Sequence, residues 1–430
     1  MSYLYSPNYL AVDEQFLYYV WSNKLFKGEL ATIAGDSLEV VGTGYRNTDS
    51  GPDFKEAKVK INNTLWAGNV EIHVRTSDWN RHHHQHDPAY KNVILHVVYE
   101  HDADVNDIPV LQLKSHFDEA LFDSYAAFVG NRKEIACANG LSSTQKFSWL
   151  SWMDTLIVER MQKKTADTDT ILSKNTFDWE DTFYRQMLRY MGMKVNNEAF
   201  AMLANTLPFR VLQKHADNLT QVEAMLFGCA GLLDGSCNDD YAALLMREFN
   251  AMQAKFNLKT MPASMWKFMR MRPGNFPTVR MAQAAQVIHR NTSVFSKILA
   301  CRDVNEVKAV FDVATSPYWE THYRFGVSSP RKAKHLGDMA ANTLIINAVL
   351  PLMFAWGKRH ERNEHCENAI AFMEAIEAED NKTTRIFAKY GFAPQNAMHS
   401  QAMLTLYDNY CKTHRCLECR IGNILINSIS

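Results

Sequence analysis

No sign of charge dominates this chain: 46 lysines and arginines stand against 47 aspartates and glutamates in 430 residues, a formal net charge of -1. Such a balance gives no global field to draw the protein to a polyanion, so any contact with nucleic acid must use a local basic face. Cysteine is scarce too. There are 8 in the chain, and five of them, Cys137, Cys229, Cys237, Cys301 and Cys366, are scattered. That excludes a disulfide framework and fits reduced core thiols. Long hydrophobic runs are missing as well. The longest, residues 344–356, is interrupted by Asn347 and Pro351 and falls short of the roughly 20 residues that span a bilayer. It is expected to be a buried helix, kinked or broken at Pro351. Asp13 and Glu14 stand where a signal peptide would carry its apolar core, so a cytoplasmic protein with no membrane association is expected. No repeat of roughly 20 to 50 residues is evident.

What is present is an ordinary soluble composition, 47% hydrophobic and 22% charged, in a chain long enough for two or three domains. Up to about residue 130 the signals are mostly strand-like, with helices expected over 14–26 and after Asp118. From about residue 145 the pattern is helical almost throughout, over 149–160, 179–191, 219–233, 240–254, 281–289, 336–354 and 369–376. The fold class is therefore α+β: an α/β domain over residues 1–135, then a mainly α-helical domain over 145–430 that ends in a cysteine-containing tail.

The first region carries the chemistry. Ala57, Val59 and Ile61 alternate with Lys58 and Lys60, Asn62-Asn63 supplies a turn, and Val70, Ile72 and Val74 alternate with Glu71, His73 and Arg75. This is a β-hairpin in which Glu71 and His73 share one face, with Asp53 at the head of the partner strand. Two carboxylates and an imidazole so placed can hold a divalent metal. Seven of the chain's 16 histidines lie between His73 and His101. His82-His83-His84-Gln85-His86, ending at Asp87-Pro88, reads as a polar loop able to bind a transition metal or to stay solvated. His96, on an apolar run, reads as a hydrogen-bonded core histidine. Glu14, Asp78, His82, His84 and His86 are further candidates for the same centre.

Asp53, then a strand carrying Glu71-Ile72-His73 across a hairpin, resembles the PD-(D/E)XK nuclease superfamily, whose strand carries Glu-x-Lys, and Pro52-Asp53 matches its first two letters. That superfamily usually has lysine at the position of His73, so the resemblance implies the fold more directly than it implies cutting. It implies Asp53 and Glu71 as ligands of Mg²⁺ or Mn²⁺, with Asp53, Glu71 and His73 as the catalytic set. His73 would orient or deprotonate the attacking water, a role that an imidazole pKa of about 6.5 suits.

Two later segments add candidates. Around Pro273, Gly274 and Pro277, the cations Arg270, Arg272 and Arg280 stand near a new helix start, and Lys332 can join them; a helix N-terminus flanked by arginines can take phosphate, and structural ion pairs are the alternative. In the tail, Cys411, Cys416 and Cys419 look like an iron-sulfur loop, but a zinc or iron-sulfur site wants a fourth ligand, with His414, Cys366 or His365 as candidates. Packed or surface thiols are the other expectation.

Gly51-Pro52-Asp53-Phe54, Gly68-Asn69-Val70-Glu71-Ile72-His73, Ser77-Asp78-Trp79, Asp87-Pro88-Ala89-Tyr90, Asn92 to Val98, the block from Arg272 to Arg280 and Cys416-Leu417-Glu418-Cys419-Arg420 together look like a bacterial family catalogued as domain of unknown function 2851, found mainly in Bacteroidetes. The likeness covers nearly the whole chain and supplies no activity. The expectation is a metal-dependent nuclease or nucleic-acid-processing protein with nucleic acid as partner. Its alternatives are a catalytically inactive nuclease-fold binding or scaffold module, and a transition-metal hydrolase built on His73, the loop His82 to His86, and Asp87.

Overall fold

Asp13 accepts the backbone N–H of Phe16 at 2.9 Å and so caps the first helix, α1 (Glu14–Ser22). Phe16, Leu17, Val20 and Trp21 are buried, as helical spacing of apolar residues requires. Phe16 packs among Phe117, Phe122 and Tyr125, while Tyr18 and Trp21 lie edge-on to Phe54. The computed structural model describes residues 12–47, 50–104, 108–130, 133–233 and 239–427; Cys237, expected to be a reduced thiol, lies outside them.

Seven strands form one mixed sheet: β1 (Leu30–Ala31), β2 (Ser37–Gly42), β3 (Tyr45–Arg46), β4 (Phe54–Ile61), β5 (Thr64–Arg75), β6 (Val93–Glu100) and β7 (Val110–Gln112). The order is β1-β2-β4-β5-β6-β7, with β3 also pairing with β4. β4 and β5 are the expected antiparallel hairpin, and Asn62 in its turn takes φ +51, a conformation that asparagine tolerates. β6 then lies parallel to β5, with Glu71 opposite His96. A parallel strand needs a crossover, here α2 (Asp78–Arg81) and two single turns, His84–His86 and Pro88–Tyr90. Residues Val93 to Val98 are buried on both faces, as an inner parallel strand is. Helix α3 (Glu119–Val129) follows, capped by Asp118.

The chain divides into two compact units, one of residues 1–153, 386–392 and 404–430, the other of 154–385 and 393–403. The cysteine tail thus belongs with the sheet, whereas the sequence grouped it with the helical part. Aromatic packing explains the difference: Trp149 and Trp152, at the start of α4 (Lys146–Leu172), pack on Phe387 and Phe392 and on Tyr410.

The second unit is almost entirely helical. Its helix Pro277–Arg290 is buried from Pro277 to Ile288. The apolar run forms a 22-residue helix over Asp338–Arg359, longer than the sequence suggested and not broken at Pro351. A π turn, Ile345–Val349, just precedes the proline, and the wider turn accommodates a position that cannot donate its N–H. Length and hydropathy alone would let this helix cross a membrane, but 67% of its apolar window is buried inside the fold, which is consistent with the core helix of a soluble protein.

Candidate metal centre

The pleat of β5 puts Glu71 and His73 on one face. That face is covered, not solvated: Glu71 is 5% and His73 2% exposed. The cover is the crossover. Trp79 is buried against the rings of His84, Tyr90 and His96, and Asp78 ties α2 down by accepting the N–H of Arg75 at 3.1 Å and pairing with Arg81 at 2.5 Å. His83 then takes φ +63, which reverses the chain between its neighbours. His82 and His84 consequently both meet His73.

The resulting contacts are short. His82 Nδ1 lies 3.2 Å from His73 Nε2, and Glu71 Oε1 lies 3.5 Å from His73 Nε2 and 3.2 Å from His84 Nε2. The ligand atoms of His73, His82 and His84 all fall within 4.8 Å of one another. Behind them, His73 Nδ1 is 2.9 Å from Nε2 of His96, which is fully buried. Burial, then the neighbouring histidines, holds His73 down to about 2 and His96 down to about 3, so both imidazoles are neutral and each keeps a lone pair. Burial also lowers His84. Buried His84 Nε2 makes no hydrogen bond.

The carboxylates are arranged around this group. The backbone N–H of Asp53 donates to Glu71 Oε2 at 3.1 Å, Asp53 Oδ2 accepts the N–H of Ile72 at 3.0 Å, and Asp53 Oδ1 pairs with Arg46 at 3.1 Å. Both Asp53 oxygens therefore have protein partners, and it is the Asp53 backbone that reaches Glu71. Glu14 lies close enough to be raised by burial and then by Asp53; it accepts from Tyr18 at 3.3 Å, whose ring carries the Arg46 guanidinium 3.7 Å above it. Burial, then the charge of Asp53, pushes Glu71 up to about 8. Burial likewise raises Asp53. A divalent cation is the natural relief for buried carboxylates crowded against neutral imidazoles.

The remaining candidates fall elsewhere. His86 is exposed and outside the group, and Asp87 caps the turn at Ala89. In the second unit, a cleft of about 500 Å³ is lined by Arg272, Arg280, Tyr323, Lys332, Lys334 and His335. Arg270, exposed at φ +59, does not line it. Arg280, expected as a phosphate contact, is 6% exposed because its helix is a core helix. Its guanidinium donates to Gln283 at 3.0 Å and Asn275 at 2.7 Å, both neutral, and burial lowers its pKa to about 10. Sequence reasoning missed Arg46, hidden in a two-residue strand, and Cys137, the distant neighbour of the tail cysteines; nothing local to either residue signals its role.

The model of the family described as "Protein of unknown function (DUF2851)" matches residues 14–382. The chain belongs to this family. No curated protein and no solved structure matches it. In this DUF2851 chain the matched span holds the sheet, the whole histidine and carboxylate centre and the basic cleft, and it stops before Cys411, Cys416 and Cys419.

Proposed function

We propose that this DUF2851 protein is a metal-dependent hydrolase of phosphodiester bonds, with one divalent transition metal held by Glu71, His73, His82 and His84. The observation that carries this reading is the convergence of three imidazoles within 4.8 Å on a buried carboxylate. Three nitrogens and one oxygen suit zinc or manganese better than magnesium, which prefers oxygen ligands and keeps its water. Bound there, the metal supplies a Lewis acid and a water that ionises near neutral pH. The protein's own groups prepare for it. Glu71 surrenders its proton on binding. His73, with its proton on Nδ1 toward His96, turns its Nε2 lone pair to the centre. Asp53 holds Glu71 through its backbone N–H, and Arg46 balances the Asp53 charge. His82 is the exposed member, so substrate reaches the centre from its side.

Support for a phosphodiester substrate comes from Asp53 at the head of β4 with Glu71 and His73 on its hairpin partner β5, the arrangement that the nuclease resemblance calls for. The basic cleft of the second unit suits nucleic acid as the polymer. The test is metal analysis of the purified full chain, with cleavage assays on single- and double-stranded DNA and RNA. The expected result is about one zinc or manganese per chain, lost in His84→Ala, together with cleavage that chelator abolishes. Metal without cleavage of any nucleic acid would make the fold a binding module; absence of metal would sink the proposal.

A further inference from the structure

A second group of possible ligands lies in the sheet-bearing unit, outside the histidine centre. Cys137 sits in the turn Ala136–Asn139, and the next residue, Gly140, is so close to the C-terminal helix Arg420–Asn427 that an added Cβ would lie 3.2 Å from Leu425. Cys419 immediately precedes that helix. The segment between Cys411 and Cys419 folds back on itself: Arg415 N–H donates to the Tyr410 carbonyl at 2.9 Å, His414 takes φ +54, and the N–H of Cys419 reaches the carbonyl of Cys416 at 3.3 Å. Gly422 is pressed on the same turn, its missing Cβ only 2.2 Å from the Cys416 carbonyl. Cys137, Cys411, Cys416 and Cys419 are thereby neighbours. Every pair among the four interacts electrostatically, and all four thiols are free.

Burial pushes all four thiols up, Cys137 and Cys416 to about 12, so without a metal to displace their protons they are neutral. Cys416 and Cys419 are each 7% exposed, and the N–H groups of Ile421 and Gly422, at the start of a helix, are directed at the Cys419 sulfur. The indole N–H of Trp152 is buried and directed at that sulfur as well. Donors gathered on one sulfur stabilise the charge it carries once it binds a metal.

We infer that Cys137, Cys411, Cys416 and Cys419 ligate an iron-sulfur cluster. Cys137, in place of His414, Cys366 or His365, is the fourth ligand that the tail spacing requires. Three cysteines at gaps of four and two residues with a fourth far away in sequence is an iron-sulfur pattern. On binding, each thiol loses its proton and the sulfur bonds to iron; iron and sulfide come from outside the chain.

The experiment is iron, zinc and acid-labile sulfide analysis of the full-length protein, purified anaerobically, with its visible spectrum. Expected are iron and sulfide in equal amounts, about two or four of each per chain, and protection of the four thiols from alkylation under native conditions. Cys137→Ser should lose at least about tenfold of the iron, while Cys301→Ser, whose thiol lies in the other unit, keeps it. If Cys137→Ser does not fold, the unmodified protein still decides. Less than about a tenth of an equivalent of iron, one zinc without sulfide, or a disulfide among the four would overturn the inference.

Discussion

A carboxyl that burial and Asp53 push up to about 8 makes the metal-free protein sensitive to pH. The proton on Glu71 contributes stability that is fully present below the unfolded value, 4.5, and is lost as pH rises through the folded one. Glu71→Gln keeps a neutral side chain at every pH. In chelator, the variant should therefore gain on the parent between about pH 5 and pH 8, by up to a few kcal/mol, while losing all stabilisation by added zinc or manganese. Urea unfolding at three pH values reads both effects, and a pH-independent difference would show that Glu71 is not held protonated. His96 acts one step further back. If its hydrogen bond sets the His73 ring and tautomer, His96→Leu should weaken metal affinity by about 10- to 100-fold with every ligand still present, as read by competition with a coloured chelator. Unchanged affinity would assign the orientation of His73 to the backbone alone. Of these residues, Asp53, Glu71 and His73 were legible as neighbours, since a hairpin and a period of two suffice to place them. The part played by His82 and His84 was only half legible: the composition of the loop was visible, but its inward fold depends on Trp79 packing and on the left-handed backbone of His83.

Strand pairing fixes where those residues meet. β5 meets β6 in a register shifted between Asn69 and Val70, and Gly68 lies where an added Cβ would be 2.5 Å from Ile94 and 2.7 Å from the Asn92 carbonyl. Gly68→Ala should destabilise the sheet by about 1 to 3 kcal/mol and, by shifting Glu71 against His96, lower metal affinity as well. Thermal unfolding with and without metal checks this; a fold as stable as the parent would mean that the strand yields freely. The helices were readable from periodicity, and the helix over Trp179–Met191 has the bounds expected. Their roles were not. Arg280 looked like an exposed cation beside a helix start because sequence shows the break at Pro277 but not that the helix after it is surrounded. The Asp338–Arg359 helix looked interrupted because the π turn that absorbs Pro351 has no local signature.

For the molecule as a whole, a net charge of -1 means that binding to a polyanion must come from a local group, and the cleft with Arg272 and Lys332 is the candidate. Arg272→Ala should weaken binding to oligonucleotides of any sequence and reduce the slope of log affinity against log salt by about one; an unchanged slope in a mobility-shift titration would make the cleft structural. The two-regime division, sheet first and helices after, was visible in the sequence. The return of residues 404–430 to the sheet-bearing unit was not, because it depends on contacts between chain segments hundreds of residues apart. The central claim is that one transition metal sits among Glu71, His73, His82 and His84. Anomalous diffraction from crystals grown with zinc or manganese measures this most directly. The expected result is one peak bonded at about 2.0 to 2.2 Å to Glu71 Oε1 and to one nitrogen each of His73, His82 and His84; a metal-saturated crystal with no peak at that position would contradict the account.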